Sequence, residues 1–260
     1  GRQARLNRHQ VELKVDGLKI IGEVFSPQSD ALHPGLLLCH GIPSGNPKNS
    51  DDGGYPLLAE RFVEEGFIVM IFNFRGAGLS EGHFDIIGWT RDLNAAVDYL
   101  YEYDGVDKER ISVMAFSGGA MVAVYVAARD ERVKALVSCC CPVSITFAAD
   151  RDHVIRFIEN QRQISLSRDK LPVQTPEQIM DNFERIDPLH CVDRISPRPL
   201  LIIHGDKDDL VDPAQAYQIY DKAKEPKELV MIAGAGHRLR IEEDAMKVAL
   251  AWLNKENGLV

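Results

Sequence analysis

The sequence predicts an α/β fold: a mostly parallel sheet covered on both faces by helices, with a small helical cap set into it. Three observations lead there. Short apolar runs alternate with amphipathic segments along most of the chain, the pattern of strands joined by crossover helices. The apolar run 111–116 breaks at Ser117-Gly118-Gly119 and resumes at once as a helix former. The alternation then fails between residues 144 and 196 and returns at 200.

The elements follow in order. Residues 11–15 and 18–25 flank Asp16-Gly17, a hairpin signal because both turn residues accept positive φ. LLLCH (36–40) is a short apolar run expected as a central strand. Residues 55–65 keep helical periodicity up to Gly66, a natural stop. A strand is expected at 68–72 and a helix at 89–103, with Leu93, Ala96, Val97 and Leu100 on one stripe. A strand at 111–116, a helix at 118–128 and a strand at 133–137 come next. The pattern resumes with a strand at 200–204, a helix at 213–224, a strand at 229–232 and a helix at 242–253. Pro213 suits an early helical position, where its missing N–H costs nothing.

The interval 144–196 is polar, rich in Arg and Asp, and long for a strand–helix connection. Thr175-Pro176-Glu177-Gln178 matches a capping box with Pro at the first helical position. Ile179, Met180, Phe183 and Ile186 then form an apolar face. Residues 1–143 and 197–260 are read as one core domain and 144–196 as an inserted cap. Open sheets place ligands at their carboxyl edge, so the cap is expected there. A plain surface excursion is the alternative.

Composition narrows the function. With 260 residues, 45% of them hydrophobic, the chain can bury one large core. Its formal net charge of −9 disfavours binding to nucleic acid, where Lys and Arg must neutralise phosphates. No run approaches the roughly 18 apolar residues of a membrane span. The basic start, GRQARLNRHQ, lacks the apolar stretch of a signal peptide. Cysteines 39, 139, 140, 141 and 191 are odd in number and form no CxxC pair. They read as small buried hydrophobes in a reducing, cytoplasmic setting, the last three consecutive ones alternating across a strand end.

The chemistry gathers around Ser117. A strand–turn–helix context exposes a nucleophile; a simple helix cap is the alternative. Ala115 stands where the usual G-x-S-x-G elbow has its first Gly and adds only one methyl. Gly118 brings its N–H close to a tetrahedral intermediate, and Gly119 lets helix and strand pack closely. His40-Gly41-Ile42-Pro43 follows the strand 36–40, so the Ile42 N–H is expected as a second oxyanion donor beside that of Gly118. His40 is read as shaping this loop. Asp206, Asp208, Asp209 and Asp212 all follow the strand 200–204, and charge density alone does not choose among them. Their spacing does not suit an EF-hand, because Leu210 and Val211 fall at positions 5 and 6. His237, after Ala233-Gly234-Ala235-Gly236, is placed for general-base work. The glycines of 74–82 superficially suggest a dinucleotide loop. Their spacing is G-x-G-x-x-x-G with Glu81 inside it, and a tight structural turn explains them better.

These motifs together resemble the α/β-hydrolase superfamily, in particular its compact serine esterase and serine-aminopeptidase-like branch, which includes feruloyl and cinnamoyl esterases. The resemblance spans about residues 18–257. It is carried by His40-Gly41, by Phe74-Arg75-Gly76 with Gly78 and Ser80, and by 115–119. His204-Gly205 through Asp208 and Val211, and Gly236-His237, complete it. It implies a sheet of about eight strands, acyl-enzyme chemistry and no cofactor or metal. It also selects Asp208 as the third member of a triad with Ser117 and His237. Asn73 stands where the branch usually has Asp.

The expected activity is hydrolysis of a small-molecule carboxylic ester. Phe147, Ile155, Phe157, Ile158, Met180 and Phe183 of the cap are expected to line an acyl or aryl pocket. Peptidase, amidase or thioesterase chemistry on the same fold is one rival, and a non-catalytic binding scaffold is another. A homodimer stays open.

Overall fold

The computed structural model describes residues 5–43, 52–143, 151–164 and 174–260. Among these residues eight strands form one sheet: β1 (Leu6–Val15), β2 (Leu18–Pro27), β3 (His33–Cys39), β4 (Ile68–Phe72), β5 (Val106–Phe116), β6 (Ala135–Cys139), β7 (Leu200–Gly205) and β8 (Lys227–Ile232). Their spatial order is β1-β2-β4-β3-β5-β6-β7-β8. The first two pairings are antiparallel, and every pairing from β4 to β8 is parallel. This is the α/β-hydrolase architecture. The hairpin turn has Asp16 at φ 52° and Gly17 at φ 78°, the left-handed pair that a two-residue connection requires.

Among the described residues seven α-helices accompany the sheet: α1 (Gly54–Glu65), α2 (Ile86–Tyr101), α3 (Gly118–Arg129), α4 (Arg151–Ile164), α5 (Pro176–Arg185), α6 (Ala214–Lys222) and α7 (Glu243–Glu256). The strand period of two explains the two cores. Along β3, Leu36 and Leu38 point to the face covered by α1 and α7, and Leu37 and Cys39 to the face covered by α2 and α3. Such strands read as continuous apolar runs because both faces are buried.

Several boundaries differ from the sequence expectation. Helix α2 starts three residues early because the Asp85 carboxylate accepts the Ile87 N–H and caps it. Strand β6 starts two residues late because the Val133 N–H is taken by the Asp130 carbonyl in a turn. The three consecutive cysteines do not continue a strand. The strand ends at Cys139, and Cys140 turns to φ 46° while its N–H bonds the Ile203 carbonyl. All five cysteines are nonetheless buried and unbridged, and burial pushes the thiols of Cys39, Cys139, Cys140 and Cys141 up. The capping box at Thr175 is fully formed, with Gln178 answering the Thr175 N–H at 2.8 Å. No helix among the described residues is long and apolar enough to cross a membrane.

The glycine-rich turn after β4 is structural. A Cβ on Gly76 would lie 2.4 Å from the Phe84 nitrogen, and one on Gly78 would lie 2.4 Å from Asn73 Oδ1. Asn73 Oδ1 accepts the Leu79 N–H at 3.2 Å, so the amide fills the acceptor place of the branch's usual Asp. Arg75 is buried and donates through Nε and Nη2 to Asp92, itself wholly buried, and through Nη2 to Asp16 of the hairpin. This locks the turn to α2 and to the first two strands.

Candidate active site

Ser117 sits between β5 and α3 with φ 53° and ψ −123°. A non-glycine residue rarely adopts that backbone, and it is held here by its surroundings. The Ser117 N–H bonds the Cys139 carbonyl of the neighbouring strand at 2.9 Å, and its own carbonyl receives Ala120 of α3 at 2.9 Å. Ala115 fits at the first elbow position because it is an ordinary fully buried strand residue. Gly119 has no such latitude: a Cβ there would lie 2.1 Å from the His40 carbonyl oxygen. The Ser117 side chain makes no cap bond to α3, so the plain helix-cap reading does not describe it. Its Oγ instead lies 3.0 Å from His237 Nε2.

His237 Nδ1 lies 2.8 Å from Asp208 Oδ2. A carboxylate oxygen there requires the proton on Nδ1, which leaves the Nε2 lone pair facing the Ser117 hydroxyl. Asp208 is chosen over its neighbours by geometry. Its Oδ1 accepts the Leu210 and Val211 N–H groups at 2.9 Å each. Asp206 and Asp212 instead tie down local backbone at Gly234 and Ala214. Burial alone would raise the Asp208 pKa. Hydrogen bonds from His204, His237 and the Val211 amide outweigh it and hold the carboxyl well below the usual range.

The triad order gives His204 no role of its own, because the base is expected after the acid in the chain. His204 is fully buried, and its Nε2 lies 2.9 Å from the Val211 carbonyl and 3.2 Å from Asp208 Oδ2. The signal available was its position four residues before Asp208, at the end of a strand.

The loop after β3 faces the elbow. The Ile42 nitrogen lies 3.8 Å from where a Cβ on Gly118 would stand, and the Ile42 side chain reaches within 2.7 Å of that point. Gly118 therefore leaves room for the Ile42 side chain against the start of α3. As the first residue of α3, Gly118 has no carbonyl of its own helix to receive its N–H. His40 holds the loop: Nδ1 lies 2.7 Å from the Gly41 carbonyl, and Nε2 accepts the Phe74 N–H at 3.0 Å. A second brace comes from α4. Gln161 is 5% exposed and donates through Nε2 to the Pro43 carbonyl at 2.9 Å. Nothing in the sequence marks Gln161, a lone polar residue in a polar segment.

Beside this loop lies a cavity of about 230 Å³. Its walls are Phe84, Phe157, Ile158 and Ile179, with Gln161 and Gln174 among the polar lining. Of the pocket residues expected from sequence, Phe157 and Ile158 line it. Phe183 is buried against Phe84, with ring centroids 6.1 Å apart, and Ile155 and Met180 are half-buried outside the lining. Phe147 lies outside the described residues. Away from the elbow, Glu184, Asp187 and His190 each bring one ligand atom within 4.8 Å of the others. Asp187 already caps the turn at Leu189, and Glu184 and His190 face each other at the surface.

Residues 57–258 match the prolyl oligopeptidase family of peptidases. Polyketide transferase ATR5 of Stachybotrys chlorohalonatus is 24% identical over 285 residues, covering 90% of this chain and 91% of that protein. Among solved structures, the alpha/beta hydrolase GrgF from Penicillium sp. sh18 superposes with a TM-score of 0.77 at 21% identity, over 97% of this chain and 99% of that one. The Pyrococcus furiosus esterase Pf2001 superposes with a TM-score of 0.69 at 23% identity, over 96% and 93%. At such identities these structures speak to the fold.

Proposed function

This chain belongs to the prolyl oligopeptidase family, and from that premise we propose that it cleaves carboxylic esters with Ser117 as nucleophile, His237 as general base and acid, and Asp208 as the group that orients the imidazole. Acyl-enzyme chemistry is common to serine hydrolases of this fold. The observation that carries the assignment is the continuous path Ser117 Oγ, His237, Asp208, with steps of 3.0 Å and 2.8 Å, ending on a strained turn that presents the hydroxyl.

The steps follow from the geometry. His237 Nε2 takes the Ser117 proton as Oγ attacks the ester carbonyl. The oxyanion that forms faces the N–H groups of Ile42 and Gly118, whose stabilisation applies only once charge develops. His237, now charged beside the Asp208 carboxylate, returns the proton to the leaving alcohol. A water activated by the same nitrogen then releases the acid. Esters are favoured over amides because an alcohol leaves more readily than an amine. The rings of Phe84 and Phe157 beside the loop suit an apolar or aryl acyl group, a feruloyl or cinnamoyl ester being the specific case.

The test is covalent. A fluorophosphonate should give one adduct, on Ser117, and none on Ser117→Ala. Ester turnover should fall by about 10⁴-fold or more in the folded variant. Unchanged turnover by folded Ser117→Ala would remove the assignment. Profiling alkanoyl, cinnamoyl and aminoacyl amide substrates then separates esterase from peptidase.

A further inference from the structure

The cavity beside the Ile42 loop is lined by two glutamines whose buried amide oxygens accept no hydrogen bond among the described residues. Gln161 Oε1 and Gln174 Oε1 are both buried and have no partner among the described residues. Their identity as oxygens is fixed by what the other end of each amide does. Gln161 Nε2 donates to the Pro43 carbonyl at 2.9 Å, and Gln174 Nε2 donates to the Asp85 carboxylate at 3.1 Å. Neither amide can be turned over without setting oxygen against oxygen. An unpartnered buried acceptor is costly to keep, so two beside one small apolar cavity mark a place where something donates.

From these two oxygens we infer that the cavity binds the remote end of the acyl group, and that this end carries a neutral donor, a hydroxyl or an amide N–H. The inference rests on the ester-hydrolase reading and specifies its substrate. The lining sets the chemistry. A carboxylate only accepts, and would face two oxygens and Asp85. An ammonium would face Arg162 at the rim and Arg75, whose guanidinium is already engaged by Asp92 and Asp16. A neutral donor meets neither objection. The volume sets the size. At about 230 Å³ the cavity falls short of the roughly 300–1,000 Å³ that encloses a drug-sized ligand, so it holds a fragment and not a whole ester. Phe84, Phe157 and Ile158 take the apolar part of that fragment. None of Ser117, Asp208 and His237 lines the cavity, while Gln161, which does, also bonds Pro43 of the loop that carries Ile42.

The experiment compares paired aryl esters of graded chain length, one of each pair ending in a methyl group and the other in a hydroxyl. At the matching length kcat/KM should favour the hydroxyl by about tenfold or more, the worth of one buried hydrogen bond. In Gln174→Met the ratio should fall to within about twofold of one. Ile158→Phe, which fills the cavity and leaves both glutamines in place, should also abolish the preference. Three results overturn the proposal and leave the nucleophile assignment standing. One is a ratio of one or below at every length in wild-type protein, meaning that solvent satisfies the oxygens. Another is a preference that survives in both variants. The third is no turnover of any pair by protein that still labels at Ser117. Absence of the label removes the reading beneath it.

Discussion

His204 Nε2 and His237 Nδ1 converge on one oxygen, Oδ2 of Asp208, at 3.2 Å and 2.8 Å. Two rings thus hold the carboxylate, one from the end of strand β7 and one from the loop after β8. His204→Ala should lower kcat by about 10–100-fold, because a small misplacement of the imidazole is costly in rate. KM should change little, and His204→Gln, which restores a donor, should recover part of the loss. Equal losses in kcat and KM, or no rescue, would show that the residue serves only the fold.

The depressed pKa of Asp208 makes a pH prediction with a definite sign. A carboxyl whose folded pKa lies below its ordinary value of about 3.9 contributes stability that is fully present above that value. The contribution is lost as pH falls through the folded pKa. The stability of wild-type protein relative to Asp208→Asn should therefore be constant from neutral pH down to about pH 5 and decline below about pH 4. Denaturant unfolding at a series of pH values measures it, and a difference that stays flat into strong acid would contradict it. The same substitution should lower kcat by about 10⁴-fold through the wrong imidazole tautomer.

The Arg75 pairings differ sharply in weight. The Asp92 side chain is wholly buried and that of Asp16 is 41% exposed. Asp92→Ala leaves a buried guanidinium with only the solvent-facing Asp16 as its partner and should cost about 3–5 kcal/mol in urea unfolding. Asp16→Ala, at the solvent-facing end of the same guanidinium, should cost about 1 kcal/mol or less. Similar losses from both would place the main support of the turn in the hairpin.

Two glycines offer a matched test of close approach. Gly17 has φ 78° and open space where a Cβ would go, so Gly17→Ala should cost only the conformational penalty of about 1 kcal/mol. Gly119→Ala places a methyl 2.1 Å from backbone at His40. That variant should lose more stability and most of its ester turnover, since His40 belongs to the loop that packs against Ser117. Thermal unfolding with a turnover assay on both variants decides the point.

The sheet was legible because its strands are buried on both faces and therefore read as uninterrupted apolar runs. The elbow was legible because Ser117-Gly118-Gly119 must break a strand into a helix without Cβ atoms at 118 and 119. Asp208 was less so: four acidic residues crowd one turn, and only their different backbone partners distinguish them in three dimensions. The late start of β6 and the bend at Cys140 depend on bonds to Asp130 and Ile203, which no local pattern records. The contacts of Gln161 and His204 are not legible in the sequence for a related reason. Each is defined by a partner supplied through the fold, Pro43 in one case and the Asp208 carboxylate in the other. The apolar face of α5 was readable, but periodicity did not reveal that Phe183 would bury itself against Phe84 and leave the cavity wall to Phe157 and Ile158.

The bond from Gln161 to Pro43 gives one side chain two masters. Divergence toward new substrates would ordinarily proceed by exchanging residues of helix α4, yet a change at this position also slackens the loop carrying Ile42. On the proposed reading selectivity and rate are inherited together at position 161, and relatives that switch substrate by altering it should need a compensating anchor for that loop elsewhere.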